Sequence, residues 1–295
     1  MPEPVRIAVE AHAKVNLGLA VGDARDDGYH DIETVFQSIS LADTLVMEAA
    51  DEESDSLSVG GLTVSDGPDN LVAVALGRLR SRTGFPGVRV SLRKRIPVAA
   101  GLGGGSSDAA AALAGARALF GLDVDDGTLA DVCLEVGSDV PFFLTGGTAL
   151  GTGRGELLEP LPRLDRGFFV IVAPETPVRA AEAYGRVRIG LTDDAGFIRL
   201  ICSAIREGDL RALARALRND LEPGVVSLCP RVSAVKDELL RAGALGAVMS
   251  GSGPTVLGIY EKEEKARAGA SRLRERGHTT YVTVPIDVGY SISTP

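Results

Sequence analysis

Residues 101–108 read Gly-Leu-Gly-Gly-Gly-Ser-Ser-Asp, between an alternating stretch at 88–93 and an alanine-rich segment at 109–120. Consecutive glycines let backbone N–H groups approach an anion with no Cβ in the way. A helix beginning near Ser106 adds unpaired N–H groups and the positive end of its dipole, and Ser106 and Ser107 add hydroxyls. Together these make a phosphate cradle. The bland alternative, a flexible surface turn, sits poorly with the strong helix propensity directly downstream. Two other phosphate loops fit less well. A Walker loop reads G-x-x-x-x-G-K-[ST], and no lysine follows these glycines. A dinucleotide fingerprint G-x-G-x-x-G breaks at Ser106, and central strands of doubly wound sheets are continuously apolar rather than alternating.

The elements that must hold this loop follow from periodicity. Odd positions from 5 to 21 are all apolar, a period of two that predicts a long or bent strand with Glu10, His12, Lys14 and Asn16 on its other face. Residues 23–30 form a polar turn around Gly28, and a second strand spans 32–41. An acidic, turn-rich stretch at 51–70 ends in Asp69-Asn70, which can open a helix over 71–79. Further helices are predicted at 109–120 and at 125–136, with Gly137 as a stop. In the second half, 168–173 is a continuous apolar strand. Leu210, Leu213, Leu217 and Leu221 repeat at helical spacing, as do Val232, Val235 and Leu239. Strands at 247–250 and 255–260 flank Gly251-Ser252-Gly253-Pro254, and a charged helix at 263–276 precedes a last strand at 281–286. Strands and helices mixed without a regular βαβ rhythm favour an α+β protein.

Composition narrows the function classes. The chain has 295 residues, enough for two domains sharing a cleft, and 36 glycines, many of them marking turns. A net charge of −9 argues against a general nucleic-acid binder, which needs a basic footprint. Cys133, Cys202 and Cys229 are scattered and form no C-x-x-C pair, so neither a zinc site nor a disulfide framework is indicated. No apolar run approaches the roughly 20 residues of a membrane span, and the first residues lack a signal-peptide core. The expectation is a cytoplasmic protein.

The stretch Pro97-Val98-Ala99-Ala100-Gly101-Leu102-Gly103-Gly104-Gly105-Ser106-Ser107-Asp108 resembles the phosphate loop of the GHMP kinase superfamily. Ala13-Lys14-Val15-Asn16-Leu17, with Asp27-Gly28-Tyr29-His30 and Glu33-Thr34-Val35-Phe36-Gln37, is similar to the N-terminal signature of a member whose acceptor is a cytidyl diphosphate sugar alcohol. Ser250-Gly251-Ser252-Gly253-Pro254-Thr255 resembles the superfamily's third motif. The matches run in order along essentially the whole chain.

The resemblance implies a two-domain fold. Residues 1–160 would form an α+β domain with the phosphate loop, and residues 161–295 a ferredoxin-like α/β sandwich, with the active site between them. It implies ATP as co-substrate, Mg²⁺ beside it, and a small alcohol as acceptor, with no nucleic acid or membrane involved. The protein ligands of the metal stay unassigned.

It also assigns residues. Pro97, Val98, Ala99, Ala100, Gly101, Leu102, Gly103, Gly104, Gly105, Ser106 and Ser107 would hold ATP, with Asn70 and Lys94 toward the adenine. Asp139, in Gly-Ser-Asp-Val-Pro, would orient or deprotonate the acceptor hydroxyl, and Lys14 would stabilise the developing charge. Asn16, Tyr29, His30 and Tyr184 would contact the acceptor, Tyr29 by stacking on the cytosine. Read without the resemblance, Asp139 is a turn residue or cap, Lys14 a solvated edge charge, Tyr29 a hairpin-tip anchor, Asn70 an N-cap and Lys94 a surface lysine. One departure stands out: Ala180 occupies a place where relatives often carry Ser or Thr. A homoserine or mevalonate type of kinase would share much of this pattern but not the Asp-Gly-Tyr-His segment, and the presence of both Lys14 and Asp139 argues against a catalytically silent ligand sensor on the same fold.

Overall fold

The structure, a computed structural model, describes residues 6–50, 54–174, 176–187 and 196–294. Val5, and residues 51–53 at the start of the acidic stretch, lie outside the described residues. In chain order the strands are β1 (Arg6–Ala24), β2 (His30–Ala49), β3 (Ser56–Gly61), β4 (Val88–Lys94), β5 (Thr148–Thr152), β6 (Leu157–Pro160), β7 (Phe168–Ala173), β8 (Arg218–Asn219), β9 (Gly246–Met249), β10 (Val256–Tyr260), β11 (Thr279–Thr283) and β12 (Tyr290–Ser293). The helices are α1 (Leu71–Thr83), α2 (Gly104–Phe120), α3 (Asp126–Val136), α4 (Phe142–Thr145), α5 (Ala180–Tyr184), α6 (Gly196–Glu207), α7 (Leu210–Ala216), α8 (Glu222–Leu228), α9 (Arg231–Arg241) and α10 (Glu263–Glu275).

The spine is the antiparallel pair β1–β2, which runs through both halves of the first sheet. Register shifts at His12/Ala13 and Asn16/Gly18 bend it, as β-bulges do. The bend reassigns its apolar face. Val9 and Ala11 enter a core against α1 and α2, whereas Ala13, Val15 and Leu17 enter a second core between the two sheets. The same geometry turns Lys14 and Asn16 toward the phosphate loop. The strand β2 is longer than the predicted 32–41 because it changes partners: Thr34 to Gln37 pair with β5, and Thr44 to Ala49 with β4.

The second sheet has the order β11-β7-β10-β9, all antiparallel. Numbered by sequence within that unit, this is 4-1-3-2, the ferredoxin-like order expected. Buried on both faces, β7 explains its unbroken apolar run. Phe169 and Ile171 face the inter-sheet core with α6, and Val170 and Val172 face α9 and α10.

Three elements differ from expectation. The leucine repeat from Leu210 to Leu221 is not one helix: α7 ends at Ala216, Leu217 is extended (φ −56°, ψ 124°), and β8 pairs in parallel with Gly18 and Leu19 of β1. Its leucines serve different cores, Leu213 the inter-sheet one and Leu221 the outer one. The helix α2 starts at Gly104, earlier than Ser106, because Gly103 turns the chain and its carbonyl accepts from Ser107 N. After β11 the chain returns to the first sheet, where β12 pairs with Ala8 to Ala11 of β1. A division into 1–160 and 161–295 therefore remains a proposal, with the last strand crossing back over it.

Candidate active site

A cavity of about 370 Å³ lies at the start of α2, and its wall includes every residue from Pro97 to Ser106 together with Asn70 and Lys94. The loop's shape requires glycine at two points in particular. Gly101 has φ 76°, and a Cβ there would lie 2.2 Å from the Ser250 carbonyl oxygen. Gly103 has φ 69°, and its Cβ would lie 2.6 Å from the Phe143 ring. Ala99, at φ 50°, holds the left-handed region without being glycine, a local strain of about 1–2 kcal/mol. The glycines are not equivalent. A side chain at Gly104 would point inward at Ile96 and Lys94, whereas one at exposed Gly105 would meet only Leu71, at 3.4 Å.

The amides of this turn are left for a ligand. Asn70 caps α1 through Oδ1, which accepts from Val72 N at 2.9 Å, and Asp125 caps α3 likewise. In contrast, α2, preceded by Gly103, has no side-chain cap. A helix start on a cavity wall, with no side chain on its first amides, has the geometry to bind an anion. Ser107 plays a different part from Ser106: it is buried, and its hydroxyl donates to the His12 carbonyl at 2.6 Å, which ties α2 to β1.

Lys94 is not a surface lysine. It is buried, with Nζ donating to Asp43 and, at 2.6 Å, to Asp108. Asp43 Oδ1 also accepts from the amides of Arg95 and Ile96, which sets the path from β4 into the loop. Burial pushes the Asp108 carboxyl well above its ordinary 3.8 despite the pull of Lys94. Burial acts to lower Lys94, but the carboxylates of Asp108 and Asp43 outweigh it and leave the ammonium above its ordinary value.

Lys14 and Asp139, distant in sequence, meet. Lys14 Nζ lies 3.3 Å from Asp139 Oδ2 and donates to Asn16 Oδ1 at 2.8 Å. The Lys14 side chain is 5% exposed and that of Asp139 36%, so the ammonium is shielded while the carboxylate stays open to a ligand. Lys14 also abuts the phosphate loop, its amide donating to the Leu102 carbonyl at 3.0 Å. Asn16 is locked by Nδ2 donating to Thr34 Oγ1 at 2.7 Å.

Asp139 also lies close enough to an aromatic group to act on it. Tyr184 is pushed up to about 12 by burial and then by the Asp139 carboxylate. Its ring stacks on His30, centroids 5.8 Å apart and planes 16° from parallel. Tyr29, 55% exposed, carries the Arg154 guanidinium 5.0 Å from its ring centroid. The structure thus brings His30 and Tyr184 together, sets the Tyr29 ring against Arg154 instead, and opens the short helix that carries Tyr184 at Ala180.

Two residues here escaped the sequence reading. Asn219 is buried, its Nδ2 donates to the carbonyls of Met249 and Gly251 at 2.8 Å each, and its Oδ1 accepts from Leu221 N. It holds the loop from which Ser250 Oγ reaches the Gly101 carbonyl at 3.0 Å and accepts from Asn16 N at 3.1 Å. An Asn where a leucine repeat breaks was the signal. Asp43 was signalled too, as a charge at an odd position among Ile39, Leu41, Leu45 and Met47, all buried.

Fold and site together define a GHMP kinase. The profile described as "GHMP kinases N terminal domain" matches residues 70–147, and "GHMP kinases C terminal" matches 201–279. A homoserine kinase from Cytophaga hutchinsonii superposes with a TM-score of 0.81 over 99% of both chains, but at 20% identity it shows the fold alone. The specific likeness lies elsewhere. A 4-diphosphocytidyl-2-C-methyl-D-erythritol kinase of Moorella thermoacetica is 46% identical over 94% of this chain and 98% of its own. That of Pelotomaculum thermopropionicum is 43% identical over 94% and 97%. A crystal structure of 4-(cytidine 5'-diphospho)-2C-methyl-D-erythritol kinase is 35% identical, with a TM-score of 0.77 over 94% of this chain and 98% of that one. The chain belongs to the 4-diphosphocytidyl-2-C-methyl-D-erythritol kinase family, phosphotransferases that act on an alcohol.

The Lys94 cluster gives a pH prediction. A carboxyl whose folded pKa is raised contributes stability below its ordinary pKa, and that contribution is lost as pH rises through the folded value. Lys94, raised above 10.5, titrates outside the neutral range. Between about pH 5 and about pH 8, the unfolding free energy of the native chain will therefore fall relative to that of Asp108→Asn. Urea denaturation at both pH values checks it, and a constant difference would contradict it.

Proposed function

We propose that the chain transfers the γ-phosphoryl group of ATP to the 2-hydroxyl of 4-diphosphocytidyl-2-C-methyl-D-erythritol, a step in non-mevalonate isoprenoid precursor synthesis. The observation that carries this is the Lys14–Asp139 pair, 3.3 Å apart, with Lys14 bonded to the phosphate loop and Asp139 acting on Tyr184 of the aromatic group. Phosphoryl transfer needs in-line positioning and charge stabilisation more than covalent chemistry, and this order of groups supplies both.

In this reading the amides of Gly104, Gly105 and Ser106 bind the nucleotide phosphates, and the cavity toward Asn70 takes the adenine. Tyr29 stacks on the cytosine and His30 meets its edge. The His30 and Tyr184 rings are already in contact, so the base packs beside that pair rather than between its members. Asn16 orients the acceptor's sugar alcohol. The open carboxylate of Asp139 accepts a hydrogen bond from the 2-hydroxyl and takes its proton as the bond to phosphorus forms. Lys14, shielded from water, stabilises the charge that develops on the transferring group.

Among the described residues no three His, Cys, Asp or Glu side chains group to hold a metal by themselves. The Ser106 hydroxyl on the cavity wall fits an Mg²⁺ that arrives on ATP, since that ion needs only one or two protein oxygens and keeps several waters. Bound there, it would neutralise charge on the β- and γ-phosphates. No helix among the described residues is long and apolar enough to cross a membrane, and we place the reaction in the cytoplasm.

A panel of acceptors tests the proposal. With Mg·ATP, ADP release is expected with the cytidyl substrate and not with homoserine or mevalonate, and the reverse preference would overturn the assignment. The nucleotide half has its own test. Gly105→Gln projects a side chain into the cavity without touching the core, so the KM for ATP should rise at least about tenfold, the scale of losing one or two charge-assisted hydrogen bonds, while thermal stability holds. An unchanged KM would place the phosphates elsewhere.

A further inference from the structure

The turn between β5 and β6 brings a cation to the acceptor side of the site that neither the phosphate loop nor the Lys14–Asp139 pair uses. Gly153 (φ 69°) and Gly155 (φ 102°) bracket Arg154 and shape a tight turn. The Gly153 carbonyl accepts from Ile32 N at 2.7 Å, which stitches the turn to β2 two residues after His30. Glu156 holds Arg154 from behind: one carboxylate oxygen lies 3.7 Å from Nε and the other accepts from the Arg154 amide. The guanidinium is thereby carried over the Tyr29 ring, 5.0 Å from its centroid.

Tyr29 needs such a hold. Its backbone is fixed, with its amide donating to Asp27 Oδ1 at 3.1 Å and its carbonyl accepting from Arg25 N at 2.7 Å. Those bonds leave the ring free to turn about its side-chain torsions, and the ring is more than half exposed. An exposed aromatic that must be immobilised on binding loses rotamer freedom at that moment, which weakens binding. A planar cation lying on one face removes that freedom in advance and leaves the other face for a base.

We infer that Arg154 is a positioning residue for the acceptor: it presets the Tyr29 ring for the nucleobase, and so sets acceptor affinity without entering the chemical step. This rests on the reading that Tyr29 meets the base. Arg154→Met keeps the apolar stem and removes the charged plane, and Arg154→Lys restores the charge without the plane.

Steady-state kinetics with the cytidyl substrate and ATP, on folded variants, decide it. Arg154→Met should raise the acceptor KM about two- to fivefold, the scale of an exposed cation–π contact, with kcat and the KM for ATP unchanged. Arg154→Lys should recover part of that loss. In a Tyr29→Ala background, Arg154→Met should add nothing, since its effect passes through the ring. An acceptor KM untouched by Arg154→Met, while Tyr29→Ala raises it, overturns the inference and leaves the base reading intact. A further loss on top of Tyr29→Ala also overturns it, because Arg154 would then act on the acceptor directly. If Tyr29→Ala alone leaves the acceptor KM unchanged, the base reading fails and the inference falls with it.

Discussion

The structure depends on one division of labour in the backbone of the phosphate loop. An anion cradle works only if its N–H groups stay unpaired, so the loop cannot stabilise itself by ordinary turn hydrogen bonds. Its carbonyls take up the task. Leu102 O accepts from Lys14 N, Gly101 O from the Ser250 hydroxyl, and Gly103 O from Ser107 N. Each such bond contributes about 1 kcal/mol, and the first two also tie the loop to neighbouring elements. The Lys14 bond sets the strand that carries the ammonium, and the Ser250 bond brings the second sheet's loop against the first.

Two buried lysines beside this loop sit in different electrostatic surroundings. Lys94 is buried between two buried carboxylates, so its charge is matched within the protein and little field is left for a ligand. Lys14 is equally buried but faces one half-open carboxylate and a neutral amide. Its charge is therefore less completely matched within the protein than that of Lys94. The cost of desolvating Lys94 is offset inside its own cluster, and the return is a fixed exit from β4 through the Asp43 carboxylate.

Much of this was legible in the sequence, and the reasons differ by residue. The glycine run declared itself because only glycine permits the backbone of Gly101 and Gly103. Alternation alone made Lys14 a solvated edge charge, and only the match to a known N-terminal signature gave it a role, because residues 11–21 of β1 are buried on both faces. Asp139 was legible only through its Gly-Ser-Asp-Val-Pro context. Asn219 and Arg154 were not read because their roles depend on tertiary neighbours, the carbonyls of Met249 and Gly251 in one case and the Tyr29 ring in the other. Local pattern misled where tertiary pairing intervened: β8 captured the middle of an otherwise helical leucine repeat, and β12 returned to β1 across nearly the whole chain.

In the proposed mechanism Asp139 acts in the chemical step while Lys14 holds charge beside it. Asp139→Asn preserves size and most hydrogen bonding and removes the basic carboxylate. Single-turnover phosphoryl transfer with ATP and the cytidyl acceptor both saturating, on a variant shown to be folded by circular dichroism, isolates that step from binding and product release. The account predicts a fall of about 10²–10⁴ in the rate, the range for a positioned acid or base, with acceptor affinity little changed. A folded Asp139→Asn variant that turns over at close to the native rate would contradict it.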